Sequence, residues 1–141
     1  AKVASASDPV AGAESVFVGR VQAGRIYNEF PAEAVVEGTR RWLPGTQRLA
    51  VERELRAVFA AAAAATGTTI DVQFRPMRDA FQLDPADPLV SSFQVAHAAL
   101  AGAPLITGGK PFVDDGNTFW ENGIPAVTHG PTAGGAHTLD E

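Results

Sequence analysis

The feature that most constrains the fold is an amphipathic segment at residues 47–65, which we predict to be a helix. Its apolar side chains recur at helical spacing, as Val51, Leu55, Val58, Phe59 and Ala62. Thr46 stands where a helix N-cap is expected, and Gly67 stands where the helix should end. The apolar stripe is explained by packing against a core, and nothing in it indicates a cofactor.

Segments typical of β-strands lie on both sides of this helix. Residues 16–23 and 34–43 precede it and residues 68–74 follow it, each with β-branched or aromatic side chains. The first fifteen residues have no periodicity and predict a loop. Three prolines after residue 74 mark a change of character, so we place a domain boundary there, between residues 1–80 and 81–141.

The second half alternates predicted helices with short predicted strands. A helix opens after Asp87 with a proline at its first position, and His97 lies at the edge of its apolar face. A partly exposed helix histidine is the simplest interpretation of His97. Short strands are expected at residues 104–107 and 124–128, with a brief helix between them that is capped by Asp115 or Asn117. This order indicates an α/β arrangement.

Composition excludes several functional classes. The chain has no cysteine, so disulfides and thiolate metal sites are excluded, and any metal must be held by imidazole and carboxylate groups. Its net charge is −5 and it has no basic patch, which argues against a nucleic-acid surface. No apolar run is long enough to span a membrane. We expect a soluble cytoplasmic protein.

The end of the chain combines a strand, a glycine-rich turn and a histidine. The predicted strand 124–128 leads through His129-Gly130-Pro131 into Gly134-Gly135, and His137 follows with two acidic residues close behind it. Ligands in open α/β sheets bind outside the carboxyl ends of strands, so this stretch is a candidate part of a site.

This ending resembles the closing motif of the cocatalytic zinc amidohydrolases. The segment GIPAVTHGP followed by AHTLDE carries the resemblance, with Gly130-Pro131-Thr132 where that family has Gly-Pro-Gly. The family includes acetylornithine deacetylase, succinyl-diaminopimelate desuccinylase, aminoacylase and the glutamate carboxypeptidases. In the family the histidine of the second segment is a metal ligand, and the resemblance therefore implies that His137 binds metal.

A second segment, GRVQAGRIYNEFPAEAVVEGTRRWLPGT, resembles the same family. The resemblance implies a lid domain with a ferredoxin-like sheet that also forms the dimer. It implies that Asn28 and Arg41 reach the substrate carboxylate, a role that suits a guanidinium fork and an amide. Gly108 and Gly109 fall where the family binds substrate or shapes its pocket.

Taken together, the resemblance implies a protein of the α/β and α+β classes, with a partial ferredoxin-like lid (dimerisation) domain followed by the C-terminal part of an α/β zinc-hydrolase catalytic domain. The implied reaction is hydrolysis of a non-terminal or C-terminal amide bond in an N-acyl amino acid or small peptide. Two divalent metal ions are implied, zinc or, in its place, cobalt or manganese. The implied partners are the substrate and a second copy of the chain, bound through the lid.

The residues that would complete such a site are missing from this sequence. No histidine is followed two residues on by aspartate, and there is no Glu-Glu pair. No catalytic residue is therefore assigned here, and we expect an N-terminal catalytic half or companion polypeptide to supply them, the isolated chain being inactive. The alternative is a non-catalytic dimerisation or binding module derived from the family. An unrelated small α/β binding domain would explain neither motif.

Overall fold

The computed structural model describes residues 5–130, which form an α+β protein with three helices and two antiparallel two-stranded sheets. The strands are β1 (Ser7–Asp8), β2 (Gly12–Ala13), β3 (Ser15–Ala23) and β4 (Ala34–Arg41). The helices are α1 (Arg48–Thr66), α2 (Pro88–Ala101) and α3 (Asp115–Glu121). The class agrees with the predicted one. The described strands pair only two by two, so the ferredoxin-like lid stays a prediction.

The chain divides into two compact units. The first comprises Ala1–Gln82 and Ile106–Val113, and the second comprises Leu83–Leu105 and Asp114–Glu141. The first unit thus includes a short segment from late in the sequence. The composition of the chain along its length does not predict this. The predicted functional division into residues 1–80 and 81–141 stays a prediction.

Strands β1 and β2 form a small hairpin where the sequence predicted only a loop. Ser7 pairs with Ala13 and Asp8 pairs with Gly12. The carboxylate of Asp8 accepts hydrogen bonds from the backbone N–H groups of Val10 and Ala11, both at 2.8 Å. This side-chain turn satisfies the backbone of a tight corner, which is the usual role of aspartate there.

Strands β3 and β4 form the longest paired structure, hereafter the ribbon. Ser15 lies opposite Arg41 at one end, and Ala23 lies opposite Ala34 at the other. The register shifts between Val18 and Arg20, as in a β-bulge. The two strand predictions for this region are confirmed, apart from the last two residues of the second strand.

Helix α1 begins and ends within one residue of its predicted bounds. Gly67 ends it in the left-handed conformation, with φ of 67°. The predicted cap at Thr46 is wrong by one position, because Gln47 occupies the N-cap and makes no side-chain capping bond. The N–H of Thr46 instead donates to the carbonyl of Leu43 at 3.1 Å, which closes the preceding turn.

The strand predicted at residues 68–74 is wrong, since no described residue pairs with this segment as a strand. Side chains hold it instead. The guanidinium of Arg56 donates to the carbonyl of Val72 at 3.1 Å, and the rings of Trp42 and Phe74 lie 6.3 Å apart. Farther along, Arg48 makes a two-point ion pair with Asp79 at 2.8 and 3.2 Å. A strand needs a neighbouring backbone, whereas this segment meets the side chains of α1.

The strands predicted at residues 104–107 and 124–128 are also wrong within the described part of the chain. The side-chain amide of Gln94, on α2, binds both backbone groups of Leu105, each at 3.0 Å. A glutamine thus supplies the two hydrogen bonds that a neighbouring strand would have supplied. In the second segment, the hydroxyl of the last residue, Thr128, donates to the carboxylate of Asp114 at 2.7 Å.

Helices α2 and α3 each begin at an aspartate. Asp87 caps α2 by accepting a hydrogen bond from the N–H of Leu89 at 2.8 Å. Asp114 caps α3 and forms a reciprocal capping box with Asn117. The predicted caps Asp115 and Asn117 lie inside the helix, because the Asp114 carboxylate reaches the free N–H of Gly116 at 2.9 Å.

Little apolar surface is covered in the described part of the chain. Among residues 5–130, Val51 is the only apolar side chain that is buried, at 2% exposure. Large apolar side chains remain exposed on the ribbon and on α2, including Val16, Phe17, Val18, Val21, Val35, Val36, Val95 and Leu100. No helix among these residues has the length and apolar character needed to cross a bilayer. The cytoplasmic location stays a prediction.

Candidate functional site

Arg41 stands at the last position of β4, and its guanidinium lies over an aromatic ring from a distant part of the sequence. Its Cζ atom is 5.8 Å from the centroid of the Phe112 ring, within the range of a cation–π contact. Phe112 belongs to the late segment that joins the first unit. No carboxylate among residues 5–130 pairs with the Arg41 side chain. Its hydrogen-bond donors therefore face no acidic partner within the described chain.

The preceding residue, Arg40, has the opposite environment. Its side chain is 5% exposed and pairs with Glu14 at 3.0 Å, whose side chain is 8% exposed, and with Glu54 of α1 at 3.3 Å. It also donates to the backbone carbonyl of Arg41, while its Nε has no partner among the described residues. Arg40 is a structural cation joining the ribbon to α1, and Arg41 is the arginine available to a ligand.

Gly108 and Gly109 lie in the same unit as Arg41, and the two positions differ sharply. A Cβ atom added to Gly109 would lie 2.5 Å from the carbonyl oxygen of Val10 and 2.9 Å from the Cα of Ala11. A Cβ added to Gly108 would meet nothing within 4 Å. Gly109 is therefore required for close approach to the β1–β2 hairpin, and Gly108 is the one with open space beside it.

Asn28 lies in the exposed connection that joins β3 to β4, at the opposite end of the ribbon from Arg41. Seven residue steps separate the strand ends Ala34 and Arg41, which is about 23 Å at 3.3 Å per residue. The structure consequently does not bring Asn28 and Arg41 together in one chain. Beside Asn28, the aromatic rings of Tyr27 and Phe30 are wholly exposed.

The proposed metal ligand His137 lies outside the described residues. The other two histidines lie in the second unit, where the rings of His97 and His129 are 5.9 Å apart and Phe93 lies 5.3 Å from His129. The Nδ1 of His97 is 3.0 Å from the carbonyl of Ala103, so it donates there. Within residues 5–130 no three histidine, aspartate or glutamate side chains are grouped to hold a metal ion.

Two features of the described surface were not predicted from the sequence. One is Phe112, whose only signal is an aromatic residue three positions after Gly109. The other is an open hollow of about 310 Å³ in the second unit, lined by Leu83, Asp84, Asp87, Trp120, Gly123 and Pro125. Asp84 and Asp87, each of which precedes a proline in the sequence, both line the hollow. Each aspartate uses one carboxylate oxygen to bind a nearby backbone N–H.

Comparison with known proteins adds no family assignment. No protein-family model matches the chain, and no solved structure matches it.

Proposed function

We propose that this chain is part of a metal-dependent amidohydrolase or peptidase that cleaves the amide bond of an N-acyl amino acid or small peptide. The observation that carries the proposal is the environment of Arg41. Its guanidinium meets no carboxylate of the described residues, and it contacts the segment that contains Gly108 and Gly109. These are positions at which the family resemblance implies substrate contact.

Arg41 has the chemistry that carboxylate recognition requires. A guanidinium presents several N–H donors in one plane, which matches the two oxygens of a carboxylate. Every N-acyl amino acid and every peptide with a free C-terminus carries such a group. Because Arg40 is neutralised by Glu14 and Glu54, those glutamates do not compete for Arg41. Gly108, in the same segment as Phe112, has open space at its Cβ position, which leaves room for a bound group in this proposal.

The metal centre belongs to the complete protein in this proposal. His137 would hold one of two divalent ions, most simply zinc, and the described residues contain no group that could hold an ion alone. Two such ions, when bound, supply an activated water and polarise the scissile carbonyl. The remaining ligands and the general base are assigned to an N-terminal catalytic half or a companion polypeptide.

The exposed apolar surface supports the need for that companion. Helix α2 is apolar around most of its circumference, yet none of its residues is buried. A helix of this kind is ordinarily enclosed in a larger core. The segment 68–74 likewise has apolar side chains and no strand beside it among the described residues. A companion that covers both would complete the predicted lid and catalytic domains.

The distance between Asn28 and Arg41 supports a site shared between two copies. Since the ribbon separates them within one chain, they can meet one ligand only if different copies supply them. The exposed rings of Tyr27 and Phe30 beside Asn28 are of the type enriched at protein interfaces. We therefore extend the proposal to a homodimer in which the tip of one ribbon reaches toward Arg41 of the second copy.

The test is a kinetic comparison in the complete protein, with its companion half, on a panel of N-acetyl amino acids. We expect zinc-dependent hydrolysis that a chelator abolishes. Arg41→Ala should lower kcat/KM by a factor corresponding to about 1.5–3 kcal/mol without loss of bound metal, since a charged hydrogen bond is removed. His137→Ala should instead lose metal.

The matched control is Arg53→Ala, which removes an exposed arginine whose described bond runs to a carbonyl of its own helix. Unchanged kinetics in Arg41→Ala would refute the assignment of Arg41. Full metal retention in His137→Ala would refute the assignment of His137.

The second candidate function is a non-catalytic dimerisation or binding module. The exposed aromatic residues at the ribbon tip favour this candidate, because they suit association whether or not a reaction follows. Light scattering separates the two proposals when it is combined with the kinetic assay. Stable self-association without hydrolysis of any substrate in the panel, at saturating zinc, would favour the module.

A further inference from the structure

We infer that Phe112 is a positioning residue for Arg41, holding its guanidinium toward the carboxylate of a bound ligand. The inference rests on the proposed function, because the role of Arg41 as a carboxylate ligand comes from it. Neither sequence motif includes Phe112. The inference depends instead on the 5.8 Å contact between the Arg41 Cζ atom and the Phe112 ring.

Arg41 needs such a contact because its backbone alone does not orient its side chain. The residue ends β4, and pairing with Ser15 holds its backbone. Its long, exposed side chain has many rotamers, so an arginine loses considerable rotamer entropy when a ligand orders it. A ring under the guanidinium restricts those rotamers before the ligand arrives, and preorganisation of this kind improves affinity.

Phe112 is itself held in place from the other side. Its segment approaches the β1–β2 hairpin so closely at Gly109 that a Cβ there would collide with the backbone of Val10 and Ala11. The hairpin is in turn joined to the ribbon by the single residue Glu14, which pairs with Arg40. Both partners of the contact are thereby fixed to the same small part of the first unit.

The contact also leaves Arg41 able to bind. Attraction to an aromatic face uses the charge of the guanidinium, whereas a carboxylate uses its N–H donors, so the two interactions are compatible. Phe112 is 42% exposed, which keeps the surroundings open to a ligand. A lysine has neither the planar fork nor the same affinity for aromatic faces, so Arg41→Lys should behave as a disruptive change.

The experiment measures N-acetylglycine binding to the complete protein by titration calorimetry in every variant, beside steady-state kinetics. The Arg41 side-chain N–H signal is followed by NMR in the variants that keep Arg41. Phe112→Leu should weaken binding about 2- to 5-fold, the range expected for an exposed cation–π contact. The change should fall on KM, with kcat within a factor of about two, and Phe112→Trp should restore wild-type binding. Phe119→Leu, at an exposed phenylalanine of α3, is the matched control.

The outcomes separate this inference from the proposed function. If Arg41→Ala weakens binding and Phe112→Leu does not, Phe112 has no positioning role and the proposed function survives. If Phe112→Trp binds as weakly as Phe112→Leu, the aromatic face is irrelevant and the inference is overturned. If N-acetylglycine binds with the expected dependence on Phe112 but no substrate is hydrolysed, the inference stands and the proposed catalytic function fails.

Discussion

The ribbon and the segment at residues 68–74 have similar compositions, but of the two only the ribbon forms paired strands among the described residues. Both are rich in β-branched and aromatic residues, namely Val16, Phe17 and Val18 in β3 and Ile70, Val72 and Phe74 in the segment. The ribbon forms a continuous antiparallel ladder, with one shift of register. The segment forms no ladder with any described residue, and side chains of α1 hold it.

The difference teaches that strand propensity operates only where a backbone partner is available. The two strands of the ribbon are joined by a connection of only ten residues, between Ala23 and Ala34, so closing this loop costs little entropy. The segment follows a 19-residue helix and meets that helix rather than a strand. Edge strands left without partners invite pairing with another chain, which fits the companion that we propose.

The largest expected loss of stability comes from a substitution that breaks the ribbon's attachment to α1. Arg40→Ala should destabilise the first unit by about 3–5 kcal/mol, because the buried Glu14 carboxylate loses its counter-charge. Urea unfolding followed by circular dichroism measures the change. Replacing both partners together, as Arg40→Met with Glu14→Leu, should recover much of the loss. If the single variant is as stable as the wild type, Arg40 does not hold the ribbon to the helix.

The next effect tests the register of the ribbon. A Cβ at Gly38 would collide with the carbonyl oxygen of Phe17 on the paired strand, so Gly38→Ala should cost about 1–3 kcal/mol. Gly19→Ala is the matched control in the same bulge, since its Cβ would meet the movable ring of Phe17 at 3.3 Å and would make only ordinary contact with the Glu37 carbonyl oxygen at 4.0 Å. Urea midpoints compare the two variants. Equal stability would mean that the bulge adjusts freely and that the register is not tightly determined.

A smaller effect is expected for the chain that follows α1, which side chains rather than a neighbouring strand hold in place. Arg48→Ala removes the ion pair with Asp79, which is more than one-third exposed on each side, so the cost should be under about 1 kcal/mol. Hydrogen exchange in residues 69–82 should nevertheless increase, because a side-chain attachment is lost. Arg53→Ala makes the same change in helix propensity without touching that segment. Similar exchange in both variants would show that Arg48 does not hold the segment.

The smallest effect concerns the β1–β2 hairpin and depends on pH. Hydrogen bonds from the N–H groups of Ala11 and Val10 hold the pKa of the Asp8 carboxyl below its ordinary value of 3.8. The carboxylate therefore stabilises the hairpin fully above that value, and its contribution is lost as the pH falls through the lower folded value. NMR shifts of residues 7–13 should change in that acidic window. Asp8→Asn should remove this dependence, and an unaltered titration in the variant would exclude Asp8 as its source.

Several local features were predictable because neighbours in sequence decide them. The α1 span and its glycine stop follow from helical spacing and the left-handed freedom of Gly67. The ribbon follows from two adjacent runs of strand-forming residues. The N-cap of α3 was less predictable, since Asp114, Asp115 and Asn117 are all suitable capping residues within four consecutive positions. Only the geometry of the first turn selects Asp114.

In the candidate site, too, some features were predictable from the sequence and others depended on the tertiary structure. The family resemblance singled out Arg41, Asn28 and the two glycines, but the sequence contained no information about the different surroundings of the Arg40 and Arg41 side chains. Tertiary structure decided that Glu14 and Glu54 neutralise Arg40 while Arg41 lies over Phe112. It also placed Asn28 at the far end of the ribbon and Gly109 against the Val10 backbone.

What the sequence by itself determined is therefore the set of local elements, since helical spacing, strand propensity and turn chemistry act over a few residues. What only the tertiary structure decided is which of those elements find partners. The runs at 68–74, 104–107 and 124–128 have the composition of strands, yet the described chain offers them side chains such as Arg56 and Gln94 instead of a neighbouring backbone. Hydrogen-bond pairing is a property of two segments brought together in space, and a single segment's composition does not encode it.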